Sequence, residues 1–450
     1  FDLSIFTGVL SAFYGFGQKT DIDFFIGSGG RERIFGTIGN AALFAGYELF
    51  TVFLSLIMYL NPGNGPTRKK LYLFAFIIAS IAVLMTAVRG SVLGYAVGIT
   101  IFAFLWMRYK KSRIGKLAFN SLVGTAILFV IFSLLFDNSS IVKNSKYLSR
   151  ITNLSLTAVT VKTRFWAWQA GLKGWSESPK TIFLGWGPEN FNIPFSKNFN
   201  PKFFVGSGSE TLFDRAHNMF VEILVTMGVI GLLTYINIFV ALFSSLRKFL
   251  KDNDLVVYGV GLISAVIAYM IHNSFIFDTS PNFIVFFTIM GFASYLNLNQ
   301  GTEERPAKPV ITNQPVIKTL AIILIAGAVV LIYRTNILPA KANYATTRAI
   351  TRGWRNDFNG ALAKYREALS YDVPGKYEYR HRLAQYLVGE GGPSVKEKPV
   401  QEAYEYALAE IDKNIKESPI DNLPYLYGSR LNIVLGKDNP ESPSNDKALD

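Results

Sequence analysis

The chain of 450 residues contains no cysteine, only three histidines and only 17% charged residues. The absence of cysteine excludes a disulfide framework, a thiolate metal site and a cysteine nucleophile. The low charge, set against 50% hydrophobic residues, excludes a disordered or collagen-like chain. This composition is typical of a membrane protein, in which the apolar runs rather than the length determine the number of segments.

The net charge of +13 is concentrated in the apolar part of the chain. Residues 341–450 contain 16 Lys+Arg and 16 Asp+Glu and so have no net charge. The first 340 residues contain the other 29 Lys+Arg and 16 Asp+Glu, and 29 minus 16 gives the whole net charge of +13. A basic surplus between hydrophobic helices orients a polytopic protein, because Lys/Arg-rich short loops stay in the cytoplasm. The tail has no basic face with interleaved aromatics, so we predict no nucleic-acid partner.

Eight stretches have the length of about 20 mostly apolar residues that crosses the hydrocarbon core of a bilayer. They lie at residues 37–60, 71–88, 91–107, 117–136, 218–246, 255–275, 281–298 and 319–338. Residues 3–16 are interpreted as the end of another helix. Because the chain opens without Met, we expect further helices before Phe1.

The predicted fold class is all-α, a polytopic membrane helix bundle with a long extracytoplasmic loop, followed by a soluble helical-repeat domain. We assign residues 1–36 to the end of a truncated helix and an outer loop. Residues 37–338 form the membrane domain, in which 137–216 is the outer loop. Residues 339–450 form the helical tail.

Basic residues occur in every second loop, which predicts the orientation. They are Arg68, Lys69, Lys70, Arg108, Lys110, Lys111, Arg113, Lys116, Arg247, Lys248, Lys251, Arg305, Lys308 and Lys318. Placing these loops in the cytoplasm puts residues 17–36, the turn at Arg89, residues 137–216, the turn around Asp278 and the tail outside. The unusual polar residues then all lie on one side.

The segment 137–216 is too long for a passive connection and is expected to fold over the membrane. Phe165, Trp168 and Leu172 recur at helical spacing, which predicts a helix lying in the membrane interface. Four of the six Trp residues of the chain fall in this segment. Two interpretations remain open, an aromatic belt at the headgroup level and stacking against sugar rings.

Arg89 interrupts two apolar runs and is followed by Gly90. Charged residues at the ends of membrane helices usually face a cavity, because facing lipid is unfavourable. Gly90 permits a tight turn, and the start of the next helix presents unpaired N–H groups beside the guanidinium. Together these features predict an anion site. The alternative is an arginine that extends to the membrane surface.

Residues 214–218 lead into a predicted helix of about 28 residues and contain His217, one of the three His residues. Histidine has an ordinary pKa near 6.5, which suits proton abstraction close to neutral pH. A purely structural role is the alternative. Asp214 is expected to orient this ring, provided the backbone between them is helical. His272 and Asp278 lie at a second outward turn and are interpreted as accessory or structural.

Several motifs are missing. The sequence has no Gly-rich phosphate loop, no His-Glu-x-x-His helix and no nucleophile elbow. The pair Asp21 and Asp23 has the spacing of metal-dependent nucleotide-sugar transferases but lies on the predicted outer side, where such donors are scarce. We therefore predict no metal and no cofactor.

The tail contains two cycles of helical apolar spacing. The first includes Ala361, Tyr365 and Ala368 and closes at Pro374, and the second closes at Pro419. The two prolines are 45 residues apart. When the 11-residue insert 389–399 is left out, the spacing is 34 residues, which is the period of tetratricopeptide repeats. The tail resembles degenerate tetratricopeptide repeats. Three or more repeats are usually needed, so we expect the array to continue or to pack on a protein partner.

Four segments of the membrane domain together resemble the O-antigen ligase and polymerase superfamily. They are residues 31–40, residues 86–90, the triplet Gly185-Trp186-Gly187, and residues 214–218 followed by Glu222, Gly228 and Gly231. The resemblance spans residues 31–298, and it depends on the order of the segments at helix ends and on the long outer loop. The tail is similar to one that many family members carry.

The resemblance implies a metal-independent, inverting membrane glycosyltransferase of the bacterial cytoplasmic membrane. Such enzymes transfer a glycan from a polyprenyl diphosphate carrier to an acceptor hydroxyl on the outer face. By the same resemblance, Arg89 and Arg164 hold the diphosphate, and His217 is the general base. Val88 stands where family members often have Ser. The expected substrate-binding residues are Arg33, Asp214, Arg215, Asn218, His272 and Trp186.

Alternatives remain for the acceptor and for the class of protein. A lipid-linked core, another repeat unit, a wall polymer and a protein Ser/Thr are all open as acceptors. A non-enzymatic membrane scaffold that works through its tail is a second class. A transporter is disfavoured, because the sequence shows no paired broken helices with charges at mid-membrane.

Overall fold

The computed structural model describes residues 1–20, 22, 24–25, 33–136, 139, 159–204, 212–299, 314–389, 398–437, 443–444 and 446. Throughout these residues the secondary structure is helical, with connecting turns and no strand. The predicted all-α class is confirmed. The chain divides by its contacts into two units, Phe1–Glu303 and Glu304–Asp450.

Eleven of the described helices belong to the first unit. They are α1 Asp2–Gly17, α2 Ala41–Leu60, α3 Pro66–Met85, α4 Arg89–Lys110, α5 Arg113–Phe136, α6 Val159–Trp175, α7 Pro179–Leu184, α8 Asn192–Lys197, α9 Met219–Phe249, α10 Val256–Asn273 and α11 Ser280–Asn299. A short 3-10 turn, Pro201–Phe203, follows α8.

The described helices of the second unit begin with a long apolar helix. They are α12 Gln314–Ile332, α13 Leu338–Trp354, α14 Phe358–Ser370, α15 Lys376–Val388, α16 Lys398–Glu417 and α17 Asn422–Gly436. A π-helical turn, Tyr333–Ile337, joins α12 to α13 without a break. The division by contacts therefore places α12 with the tail helices, whereas the sequence division falls at 338/339.

Seven of the described helices are long and apolar enough to cross a membrane. They are α2, α4, α5, α9, α10, α11 and the continuous helix that contains α12 and α13. Each coincides with a predicted span, so the chain is a multi-pass membrane protein. The eighth predicted span falls on α3, which has three basic residues close to its start and is not among the seven.

Small residues allow the central helices of the bundle to approach closely. A Cβ on Gly94 of α4 would lie 2.6 Å from the carbonyl oxygen of Ala268 in α10. Gly98 faces the side chains of Phe53 and Ala268 in the same way. Such contacts replace the hydrophobic driving force that is absent between helices in lipid. The helices α2, α4 and α10 thus form the centre of the unit.

The two ends of this bundle differ in their residues. At one end Arg68 pairs with Asp2 at 2.9 Å, and the Lys110 ammonium donates to the carbonyl of Asn253 at 3.1 Å. The basic loops before α3, after α4 and before α10 meet there. The opposite end brings together the start of α2, the end of α3, the start of α4 and the connection between α10 and α11. We call the first the basic end and the second the site end.

Helix α9 is interrupted at Gly228, which has φ +69° and ψ −171°. The break leaves the carbonyls of Val225 and Thr226 available, and they accept the N–H groups of Trp186 at 3.1 Å and Gly187 at 2.7 Å. The crossing is tight, since a Cβ on Gly185 would lie 2.3 Å from the Thr226 carbonyl. The predicted continuous helix is therefore two segments, and the Gly-Trp-Gly triplet is docked on the joint.

The outer segment has an aromatic core of its own, built around Phe191, Phe195, Phe203 and Phe213. Helix α6 turns its small residues toward this core, while Phe165 is 51% exposed. The exposed apolar side of α6 is the one expected in a membrane interface. The indole N–H groups of Trp168, Trp175 and Trp186 donate to main-chain carbonyls within the unit.

The helices α13–α17 pack in succession around a second core. The predicted faces are buried there, with Ala361, Tyr365 and Ala368 in α14 and Ala403 and Ala407 in α16. Helix α16 begins at Lys398, inside the predicted insert 389–399, because proline is accommodated in the first turn of a helix. The packing is that of helical pairs, and the tetratricopeptide assignment stays a prediction.

Candidate functional site

The connection between α10 and α11, residues 274–279, is the centre of the site end. Its conformation is fixed by the carboxylate of Asp278, which accepts from the side chain of Asn273 at 3.0 Å and from the N–H of Thr279 at 2.9 Å. The hydroxyl of Tyr269 donates to the same carboxylate. Burial raises the pKa of Asp278 to about 7. We call this connection the hub turn.

Arg164 of α6 and the start of α4 meet at Phe275 of the hub turn. The Arg164 guanidinium donates to the Phe275 carbonyl at 3.1 Å. A Cβ on Gly90 would lie 2.6 Å from the Cβ of Phe275, so only glycine permits this approach. Arg89 is the first residue of α4 and is exposed. Arg164 therefore contacts Phe275, and Arg89 is the chain neighbour of Gly90, which packs on the same phenylalanine.

Arg33 joins the same region from the segment before α2. Its Nε donates to the carbonyl of Thr86 at 2.7 Å. The next residue, Ala87, has φ +50°, which is uncommon for a residue with a side chain. The N-cap position of α4 is Val88, which gives no side-chain bond to the helix start. Three basic residues thus surround the positive end of a helix, an arrangement that favours anions.

His217 approaches the hub turn from the start of α9. Its ring lies edge-on to Phe277 and Phe213, with centroid distances of 5.5 and 5.6 Å. The Nδ1 atom lies 3.1 Å from the carbonyl oxygen of Arg215. Because a carbonyl only accepts, Nδ1 carries the hydrogen and Nε2 keeps its lone pair when the ring is neutral. That tautomer is the one that accepts a proton at Nε2.

The other residues of 214–218 have separate contacts. Arg215 pairs with Glu189, lies 3.9 Å from Glu222 and places its guanidinium 5.4 Å from the ring centre of Phe277. Asp214 is exposed. Asn218 is the N-cap of α9, and its side chain accepts from two N–H groups. The backbone from Asp214 to His217 precedes the helix, so the helical spacing proposed for Asp214 and His217 does not apply.

His272 lies in the interior and not on the outward turn where the sequence placed it. It is fully buried, and its Nδ1 lies 2.9 Å from the hydroxyl of Ser91 in α4. On the other side, a Cβ on Gly46 of α2 would lie 2.6 Å from its Nε2. The ring therefore connects three central helices. Trp186 is half-buried, and the Lys197 ammonium lies over its ring, 5.6 Å from the ring centre.

Sequence reasoning missed the hub turn itself. Phe275 and Phe277 look like the end of an apolar run, and nothing in their spacing indicates that they contact Arg164 and His217. The sequence analysis names Glu222 only as part of the family-like segment that follows residues 214–218. An ionisable residue inside a membrane helix is by itself a sign of function, so Glu222 could have been singled out from the sequence.

A groove of about 500 Å³ lies beside the site on the surface of the membrane helices. Its lining is almost entirely apolar and consists of Phe220, Phe243, Ile267, Met270, Ile271 and Ser274. Ser274 adjoins Phe275, and Phe220 follows the N-cap Asn218 by two residues. The groove thus reaches the hub turn.

Within the described part of the chain, no group of three or more His, Asp or Glu is placed so that it could hold a metal ion. Asp21 and Asp23 lie outside the described residues, as does Arg31 of the first family-like segment.

Fold and site together define a multi-pass helical membrane protein with basic side chains and a histidine gathered at one end of its bundle. The sequence profile of the family described as O-Antigen ligase matches residues 74–236. The matched region contains Arg89, Arg164, the Gly-Trp-Gly triplet and His217. The match supports the O-antigen ligase superfamily and, with it, glycosyl transfer of the ligase or polymerase type. A search of curated proteins found no match.

Proposed function

We propose that the protein transfers a glycan from a polyprenyl diphosphate carrier to an acceptor hydroxyl at the site end of its bundle. The reaction is inverting and needs no metal. The observation that carries this proposal is the meeting of Arg89, Arg164 and His217 around the hub turn. These residues come from sequence positions far apart, and they supply cations for a diphosphate and an acceptor for a proton.

The basic residues act on the leaving group. As the bond between the anomeric carbon and the diphosphate breaks, its electron pair moves to the phosphate oxygen. Guanidinium groups stabilise this developing charge by charge-assisted hydrogen bonds, often in pairs. Arg164 is oriented for this by its bond to the Phe275 carbonyl, and Arg89 by its place at the positive end of α4.

His217 acts on the acceptor. The acceptor oxygen attacks the anomeric carbon from the side opposite the diphosphate, and its proton passes to Nε2 of His217. The bond from Nδ1 to the Arg215 carbonyl supports this assignment, because it leaves the lone pair on Nε2. The products are the glycosylated acceptor with inverted configuration and the polyprenyl diphosphate.

The apolar groove beside Ser274 accommodates the first isoprene units of the carrier. A chain lying there has its diphosphate end next to Phe275, where Arg164 is bound. The basic end of the bundle faces the cytoplasm by the rule for Lys/Arg-rich loops. The site then faces outward, where glycans on polyprenyl carriers are used.

The test is transfer by the purified full-length protein in lipid nanodiscs. It is mixed with a polyprenyl diphosphate glycan, a chelator and, in separate samples, a lipid-linked core, a second donor molecule or a Ser/Thr peptide. A product of donor plus acceptor mass in chelator is expected, and its anomeric configuration reports inversion. The sample that reacts distinguishes a ligase, a repeat-unit polymerase and a protein glycosyltransferase. Absence of transfer to every acceptor would contradict the proposal.

A further inference from the structure

Glu222 is a buried carboxylate directly beneath the His217 loop. It lies in the first turn of α9 and is 3% exposed. Its Oε2 accepts the N–H of Ala216 at 2.6 Å. On the other side of the same residue, the carbonyl of Ala216 accepts the indole N–H of Trp168, also at 2.6 Å. Ala216 is therefore held at both of its polar atoms, once from α9 and once from α6.

These two bonds fix the backbone immediately before His217. That residue has φ +52°, in the left-handed region that a residue with a side chain rarely adopts. Such a conformation persists only where the surroundings determine it from several directions. Ala216 is fixed on one side and the N-cap Asn218 on the other, so His217 is confined between them. Its ring then reaches the carbonyl of Arg215.

The second oxygen of Glu222 faces Arg215. Oε1 lies 3.9 Å from the Arg215 guanidinium and has no hydrogen bond within the described part of the chain. Arg215 is paired on its other side with Glu189. Glu222 thus adjoins the residue whose carbonyl sets the His217 tautomer. Because the group is buried, an acceptor hydroxyl has no access to it, and Glu222 acts through the loop.

We propose that Glu222 is a positioning residue that holds His217 in the Nδ1–H tautomer, with Nε2 directed at the acceptor. The expected loss of kcat rests on the proposed function. The hydrogen bond between Glu222 and the N–H of Ala216, and its effect on the His217 tautomer, do not depend on that function and are tested separately.

The experiment compares Glu222→Gln with Glu222→Leu in the full-length protein. Gln keeps an oxygen that accepts from Ala216, whereas Leu has no acceptor. We expect Leu to lower kcat by about 100-fold, the loss typical of a misplaced catalytic group, with the KM for the donor changed less than twofold. Gln should keep at least a third of the rate. Thr226→Val, a change of another buried polar group one turn further along α9, is the matched control and should leave the rate unchanged.

A second readout does not require activity. The chain has three His residues, so a sample labelled with ¹⁵N-His gives three ring systems, and His217 is assigned from its loss in His217→Ala. The wild type and Glu222→Gln should show the Nδ1–H tautomer, and Glu222→Leu a mixture. A wild-type tautomer together with a wild-type rate in Glu222→Leu would overturn the inference.

A third variant and two outcomes separate the possible failures. If Glu222→Leu does not assemble in the membrane, Trp168→Phe removes the donor on the other side of Ala216 and should shift the tautomer in the same direction. If the wild type transfers no glycan but the tautomer shifts in these variants, the proposed function is wrong and the positioning contact stands. If transfer occurs and neither variant shifts the tautomer, the positioning role alone is wrong.

Discussion

The two ends of the membrane bundle both carry basic residues, but they hold them differently. At the basic end, Arg68 is 60% exposed on its side chain and pairs with an exposed carboxylate, Asp2. At the site end, Arg33 and Arg164 donate to the main-chain carbonyls of Thr86 and Phe275. A carboxylate partner pairs with the charge of a guanidinium, whereas a main-chain carbonyl fixes the direction of its N–H groups. The same residue type is thus held by a side chain at one end and by the main chain at the other, and we propose that it serves topology at the first and anion binding at the second.

The largest effect is expected from His217, which lies at the site end. His217→Ala should reduce glycan transfer by about 1,000-fold, within the range for loss of a general base. Initial rates in nanodiscs at saturating donor provide the measurement. Protein yield and thermal stability should match the wild type, because the half-buried ring mainly contacts two phenylalanine edges. A variant with normal transfer would remove the base from the mechanism.

The two ends are compared directly by removing one arginine from each. Arg164→Ala should lower kcat by about 100-fold or more, as does the loss of a preorganised donor to a developing anion. Arg164→Lys should recover only part of the rate, since an ammonium lacks the paired N–H geometry. Rates are measured over a range of donor concentrations.

The matched variants at the basic end are Arg68→Ala and Lys110→Ala. An exposed ion pair is worth about 0–1 kcal/mol, so both should transfer glycan within twofold of the wild type. If Lys110→Ala were as damaging as Arg164→Ala, the division of the bundle into a basic end and a site end would be wrong.

The joint in α9 connects the site end to the outer helices. Gly228→Ala places a Cβ 2.3 Å from the carbonyl of Phe183 at φ +69°, so both strain and a clash oppose it. We expect a loss of about 1–3 kcal/mol from the strained backbone alone and a drop in transfer as His217 shifts. Thermal unfolding in detergent and initial rates are measured together. Gly124→Ala, where the added Cβ meets nothing within 4 Å, is the control and should change neither.

The stability of the protein is expected to depend on pH through the hub turn. Because burial raises the pKa of Asp278 to about 7, the folded protein holds a proton that the unfolded chain releases near pH 4. This contribution to stability is complete below pH 4, declines as the pH rises and is lost above about 7. Asp278→Asn should flatten the thermal midpoint between pH 4 and 7. An unchanged slope in the variant would mean that another group titrates there.

Much of the architecture follows from apolar spacing. Seven predicted spans coincide with described helices because about 20 apolar residues have few alternatives to crossing a bilayer. Arg89 and His217 were singled out because each lies at a helix end, where an ionisable residue is conspicuous. The break at Gly228 was not predicted, because hydropathy along 218–246 is continuous and does not report the sign of φ.

The site was predicted in part, and the residues that differ share a physical reason. Asn218 was expected to bind substrate, and its side chain caps α9. His272 was expected near the surface, and it connects α4 to α2 in the interior. Whether a polar side chain faces a ligand or its own backbone depends on the three-dimensional neighbours, which linear spacing does not specify. The roles of Arg89, Arg164 and His217 stay predictions for the experiments above.

The joint at Gly228 also bears on how the protein tolerates bilayers of different thickness. The segment of α9 after the joint, Val229 to Phe249, has 21 residues and is about 31 Å long at 1.5 Å per residue, which by itself matches a hydrocarbon core of about 30 Å. The segment before the joint is docked on the Gly-Trp-Gly triplet instead. We therefore expect a tilt of the second segment in a thinner bilayer to move His217 less than it would through a continuous helix.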